Sequence, residues 1–293
     1  MTITDPALAR SQVRLFIGRF LCHRIAVASL GLLLVIIAAA LVPQRLTPYT
    51  FDGMNLRAAN LPPTLYGRHW FGTDKLGRDY FSRVVFGTRT TLLVSSVVAV
   101  LSTTIGTTVG AVAGFFGGWV DNLLMRLTDL VIVLPGLAVL MVLISFTGEG
   151  SPLQVACVLA SLFWTLTARI VRAQFLSLRR REFVQAASVA GASDFRLIWR
   201  HILPNSVGPI IVNATLTVSR AILTESGLSF IGVGVKPPTP TLGRLIALGR
   251  GSMQTQWWPV TFPGVMIVVI CLAINYVGDG MRDALDARQS GRS

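Results

Sequence analysis

Six stretches of the chain stay apolar for about 20 residues at a time, the length a helix needs to cross a hydrocarbon core of about 30 Å at about 1.5 Å per residue. They run from Ile25 to Val42, Thr91 to Phe115, Leu123 to Phe146, Leu153 to Val171, Val207 to Gly232 and Val260 to Val277. The pattern predicts an all-α membrane protein of six transmembrane helices. Polar residues interrupt the third and fifth stretches, and Pro135–Gly136 predicts a bend in the third. The first stretch follows Arg10, Arg14, Arg19 and Arg24 and ends in Ala38, Ala39 and Ala40, as a secretory signal does. Its apolar run exceeds the usual signal core of about 7–15 residues and further spans follow, so it reads as a retained first helix. Just before it, Val13, Phe16, Ile17, Phe20 and Leu21 recur at helical spacing among arginines, which fits an interfacial elbow helix. A disordered basic tail fits the same residues.

These runs divide the chain into an N-terminal segment (1–24), a first transmembrane helix (25–42), a segment on the far side of the membrane (43–90), a five-helix core (91–279) and a tail (280–293). Composition agrees with this division: 52% of the 293 residues are hydrophobic, 13% are charged, and the mean hydropathy is +0.64. The net charge of +13 does not point to nucleic acid, because the 26 basic residues lie between apolar runs rather than on one basic module. Their placement instead sets an orientation, since basic residues near span ends resist translocation. One side collects the N-terminal segment, Arg126, the stretch from Arg169 to Arg200, and Arg282, Arg288 and Arg292. That side is expected to be cytoplasmic, with both termini on it. The opposite side, Arg45 to Arg89 and Lys236 to Arg250, is also basic, so the asymmetry is modest.

The chemistry of catalysis is thinly represented. Cys22, Cys157 and Cys271 and His23, His69 and His201 are scattered, with no metal-ligand spacing, so no metal site and no catalytic residue is expected. A phosphate-binding loop needs G-K-[ST] opening a helix, and neither lysine, Lys75 nor Lys236, follows a glycine. No cofactor is therefore expected in this chain.

Residues 179–205 are too charged for a membrane core and read as a hairpin of two short helices. Phe183, Ala186, Ala187 and Ala190 share a face of the first, Gly191 supplies the break, and Ser193 is placed to cap the second. Phe195, Ile198, Trp199 and Ile202 line the second until Pro204, which is expected to stop it. Such a hairpin can take up motion from a soluble motor, and it can equally lie on the lipid surface. The segment resembles the EAA loop of ATP-binding-cassette importer permeases, with Gln185, Ala186, Ala187, Gly191, Leu203 and Pro204 in register. Two positions depart: Gln185 stands where the general pattern has Glu, and His201 where it has Ile.

A second run, Phe71-Gly72-Thr73-Asp74-Lys75-Leu76-Gly77-Arg78-Asp79 followed by Ser82-Arg83, Gly87 and Arg89, is similar to a signature of the second permease subunit of dipeptide, oligopeptide and nickel importers. Read from its residues, Asp74, Arg78, Asp79 and Arg83 form a local charge set fixing an external cap, or a solvated loop. A third, Glu225 through Gly234, resembles the E-x-x-L-S-F-L-G-x-G run of the same branch. Glu225, with Arg220 five residues earlier, and Asp129, with Arg126 three earlier, are ionisable residues within spans. Together with Ser229 they are candidates for the pathway or a gate, with snorkelling and boundary anchoring as the alternatives.

The resemblance covers most of the chain and implies a type I importer permease fold with a cytoplasmic coupling helix, in a bacterial inner membrane. It implies docking of ATPases through Glu182, Phe183, Gln185, Ala186, Ala187, Gly191, Ala192, Phe195, Leu203 and Pro204. It also implies a homologous second permease, two ATPase subunits that bind ATP and Mg, and an external peptide-binding lipoprotein. Nickel is the other cargo of the branch. A self-sufficient secondary transporter, with Glu225, Asp129 and Arg220 as coupling charges, is the alternative from a different class.

Overall fold

The computed structural model describes residues 16–64, 66–147 and 150–286. Val13 and the arginines at 10, 14, 288 and 292 lie outside the described residues. Residues 16–22 are helical, and Phe16 and Phe20 lie on one side with ring centroids 6.4 Å apart. Helix α1 (Arg24–Leu41) begins where His23 Nδ1 accepts the Ala26 N–H at 3.2 Å. Helix α2 (Tyr80–Phe116) starts well before Thr91, because Asp79 caps it through the Ser82 N–H, and ends at Gly117 with φ +67°. Its 37 residues span about 55 Å, so one end must project beyond the bilayer.

Helices α3 (Gly118–Val133) and α4 (Gly136–Thr147) replace the expected third span, and they meet at 89°. The break is sharper than a proline kink because Leu134, the residue before Pro135, sits in extended backbone at φ −65°, ψ 140°. Helix α5 (Pro152–Arg179) opens with a capping box in which Ser151 and Gln154 satisfy each other's backbone N–H groups. Helix α6 (Glu182–Val189) is the first arm of the hairpin. The second arm is one turn (Asp194–Arg196) and a wide π-type turn (Leu197–Ile202) that runs straight into helix α7 (Leu203–Ile231). Pro204 therefore does not stop it. Proline in the first turn of α7 has no intrahelical N–H to lose, and the wide turn, in which the Leu203 N–H reaches Ile198 O, relieves the crowding of its ring against the preceding carbonyls. Helix α8 (Leu242–Gly249) precedes α9 (Trp258–Asp286), which continues past residue 279. No strand occurs among the described residues, only an isolated bridge between Thr73 and Asp79. Five helices are long and apolar enough to cross a membrane, or up to six if the α3–α4 pair is one span.

Lipid offers helices no hydrophobic reason to associate, so close packing and polar contacts must hold the bundle. The main seam joins α2 to α5. Gly106, Gly110 and Gly114 lie on one face of α2, where a Cβ at Gly106 would sit 2.5 Å from Thr167 Cβ and one at Gly114 2.7 Å from Phe175 Cβ. Beside this seam the buried Asn213 on α7 donates to Thr167 Oγ1 at 2.8 Å, tying three helices at one level. Helix α7 packs on α2, α5 and α9, and α1 lies along α9.

Candidate functional site

At one end of the bundle the hairpin is seated on a cluster drawn from five elements, Ile210 of α7 among them. Val184 of α6 and Leu197 and Ile202 of the wide turn are buried with Phe115 of α2 and Phe175 of α5. Burying each such side chain is worth roughly 1.5–3 kcal/mol where water is the alternative, so the hairpin is a fixed part of the helix ends. Arg179, the last residue of α5, reinforces this by donating to Phe115 O at 2.5 Å with its guanidinium 5.4 Å from the Phe115 ring.

The faces do not divide as predicted throughout. Val184 and Ala187 face the cluster, whereas Phe183, Ala186 and Ala190 face outward; Ile202 is buried, but Phe195 and Trp199 are exposed. The two arms thus leave a second apolar face: Phe183 is 44% exposed, Phe195 72%, Trp199 57% and Val189 91%. An exposed patch of large apolar side chains on a rigid element marks an interaction surface. Val189 was not singled out by the sequence, although its place immediately before the helix-ending turn puts it at the tip. Glu182, Gln185, Gly191 and Pro204 are exposed as well, while Leu203 and Ala192 are half-buried against the cluster.

The turn explains the A-A-x-x-x-G spacing. The Ala192 N–H donates to Ala187 O at 3.1 Å and the Gly191 N–H to Ser188 O at 3.0 Å, the paired bonds of a glycine C-cap, with Gly191 at φ +83°. Ala187 and Ala192 meet beneath the turn against the cluster. Ser193 takes the capping position of the next turn, but its hydroxyl makes no capping bond. Gly191→Val is expected to destabilise the turn by about 1–2 kcal/mol, because a β-branched residue resists positive φ. Hydrogen exchange should then rise across residues 186–197, and unchanged protection there would show that the turn tolerates other geometry.

The ionisable candidates fall into separate places. Asp129 does not pair with Arg126; Arg169 of α5 donates to it at 2.5 Å. About two helical turns earlier on α3, Asp121 is gripped by Arg172 with two bonds of 2.5 and 2.6 Å, so α3 is pinned to α5 twice. Arg220 is exposed, whereas Glu225 is fully buried. Five residues on a helix place side chains about 140° apart, so the two do not meet. Ser229, also buried, donates to Glu225 Oε1 at 2.7 Å, and Thr241 at the start of α8 lies 3.4 Å from Ser229 Oγ. This polar group joins α7 to α8 and leaves Glu225 Oε2 without a hydrogen bond.

At the other end of α2, the segment before Tyr80 folds into a cap around Asp74. Its Oδ2 accepts from Arg78 Nε at 2.7 Å and Arg83 Nη1 at 2.6 Å, while Oδ1 accepts the backbone N–H groups of Leu76 and Arg78 at 2.9 and 3.0 Å. Asp79 belongs to a different set: Oδ2 accepts from the Ser82 N–H and hydroxyl, each at 2.7 Å, and Oδ1 lies 2.9 Å from His69 Nδ1. The cap is joined to the bundle by Trp258 Nε1 donating to Thr73 O at 3.2 Å, by Phe71 stacked on Phe262 at 3.9 Å, and by the Tyr80 hydroxyl donating to Pro259 O at 2.8 Å.

Comparison with known proteins places this arrangement among transport permeases. The profile described as "Binding-protein-dependent transport system inner membrane component" matches residues 106–291, and that of the "N-terminal TM domain of oligopeptide transport permease C" matches residues 11–63. The oligopeptide transport system permease protein OppC of Mycobacterium tuberculosis (strain ATCC 25618 / H37Rv) is 40% identical over 277 residues, 94% of each chain. A putative peptide permease protein of Brucella suis biovar 1 is 43% identical over 273 residues, 92% of this chain and 89% of the relative. A putative peptide transport system permease protein of Brucella abortus biovar 1 is 40% identical over 284 residues, 97% of this chain and 94% of the relative.

Proposed function

Since the chain belongs to the family of binding-protein-dependent transport system inner membrane components, we propose that it forms one half of the translocation pore of an ATP-driven importer of oligopeptides or dipeptides. In this reading it sits in a bacterial inner membrane with both termini in the cytoplasm, the side to which the arginine-rich loops assign the hairpin. It catalyses no reaction itself. ATP and Mg bind on two separate ATPase subunits, a homologous permease completes the pore, and an external lipoprotein delivers peptide.

The observation that carries the reading is the outward apolar face of Phe183, Val189, Phe195 and Trp199 on a hairpin whose inner face is buried in the ends of α2, α5 and α7. A motor subunit that covers the outer face moves the inner one with it. Closure of the ATPases would then rock the bundle from inward-facing to outward-facing, and hydrolysis would reset it. Helix α3, pinned to α5 by ion pairs at Asp121 and Asp129, is suited to follow α5 while sliding against a partner. Glu182 at the start of α6 remains available to the motor at the docking edge, where Gln185 supplies a hydrogen-bonding rather than an ionic contact.

Phe195→Asp combined with Trp199→Asp tests this. The variant should insert and pair with the second permease, because both side chains are exposed, yet co-purify with the ATPases about tenfold less well or worse and lose peptide uptake in proportion. Full uptake by the variant, or uptake by this chain alone in liposomes, would overturn the proposal.

A further inference from the structure

The external cap carries a cleft that neither the helix bundle nor the hairpin explains. It measures about 330 Å³, at the small end of ligand-sized pockets, and is lined by Pro48, Tyr49, Arg68, Trp70, Asp79 and Phe81. Its walls are rigid. Trp70 stands edge-on to Phe81 with centroids 5.0 Å apart, and Tyr49 stacks on His69 at 4.9 Å, which in turn is held by Asp79. Both Asp79 oxygens are engaged, so the carboxylate is a structural floor rather than a free charge. Trp70 is nonetheless 53% exposed.

Lipid does not account for this exposure. The apolar run of α2 begins at Thr91, ten residues beyond Phe81 and therefore about 15 Å further along the axis, so the cleft faces water. The exposed charge of this segment is of one sign: Arg68 lines the cleft, and Arg45, Arg57 and Lys75 are also exposed on residues 43–79, against a single exposed carboxylate, Asp52. The remaining charges of the segment, Asp74, Arg78 and Asp79, are bonded within the cap.

We infer that the Tyr49–Trp70–Phe81 cleft is the anchoring pocket for the external peptide-binding protein, receiving one large apolar side chain of that protein while an acidic surface around it meets Arg45, Arg57, Arg68 and Lys75. Aromatic pockets in preformed surfaces bind such anchors with little ordering of the receptor, and a segment whose exposed charges are of one sign steers a complementary partner. The cap is joined to α9 through Trp258 and Phe262, so a partner seated in the cleft is connected to the membrane helices. The inference rests on the chain being an importer subunit.

The test uses the complete transporter in lipid nanodiscs and the purified peptide-binding protein of the same system, with affinity measured at several salt concentrations. Trp70→Ala should weaken binding by about tenfold or more. Arg68→Glu should weaken it and flatten the dependence on salt. Both sites are exposed, and unchanged basal ATP hydrolysis would show that the variants are folded. Binding by both variants within about twofold of the unaltered complex would overturn the inference alone, as would a Trp70→Ala effect confined to free labelled peptide. Failure of the unaltered complex to bind the protein at all would overturn the functional reading together with it.

Discussion

Replacing Asp74 with alanine is expected to cost about 3–5 kcal/mol of folding stability, the penalty for stranding a buried cation. Asp74 is 9% exposed and Arg83 4%, so the guanidinium that now donates to Oδ2 would have neither its partner nor water. The two backbone N–H groups on Oδ1 would lose their acceptor as well. Asp74→Asn keeps an acceptor for those groups and removes the charge, so it should fall between wild type and Asp74→Ala. Asp74→Leu joined to Arg83→Met should be less damaging than Asp74→Ala despite changing more atoms, because no charge is left behind. The thermal unfolding midpoint of the purified complex and tryptic cleavage within residues 43–79 report the effect. An Asp74→Ala protein with both at wild-type values would mean that the cap is not held by this carboxylate.

The second large effect is expected at Gly110. A Cβ there would run into Ala168 O and lie 2.8 Å from Val171 Cβ and 3.0 Å from Arg172 N, two of the three being backbone atoms of α5 that cannot turn aside. Gly110→Ala should destabilise the bundle by about 1–3 kcal/mol, and Gly110→Leu, which forces the helices further apart, should exceed that and reduce assembly with the partner chains. Gly31→Ala on α1 serves as the control, since nothing lies within 4 Å of its Cβ position. There the better helix propensity of alanine should leave stability equal or slightly raised. Comparable losses at Gly31 and Gly110 would refute close approach as the cause.

Five of the spans were legible because lipid imposes one rule on every residue of a helix, and those apolar runs obey it, whereas the third run divides into α3 and α4. What lies between helices was less legible. Sequence spacing pairs Asp129 with Arg126, but spacing reports only which side chains share a face, and the approach of α5 brings Arg169 to Asp129 instead. Arg220 and Glu225 are near in sequence and on different sides of α7, which leaves Glu225 to Ser229 and the start of α8. Within the cap, Asp74, Arg78 and Arg83 do form one set, while Asp79 is taken by the start of α2 because a carboxylate there satisfies N–H groups that a helix leaves open. Two features had signals that could have been used. Gly106, Gly110 and Gly114 recur every fourth residue, the mark of helices in close contact, and Val189 stands next to the glycine turn that places it at the hairpin tip. Pro204 misled for a local reason: a proline reads as an end only when its own turn must be regular, and the turn before it is wide.

That wide turn joins the hairpin's second arm to α7 without a loop, so residues Asp194–Ile231 form a single 38-residue rod about 57 Å long. A crank of this kind has no backlash. Tilting it by about 5° about its hairpin end would sweep the far tip, where Ser229 meets Thr241, through about 5 Å, more than a hydrogen bond can stretch. Small movements of the hairpin would then be magnified most at the end of the rod remote from it.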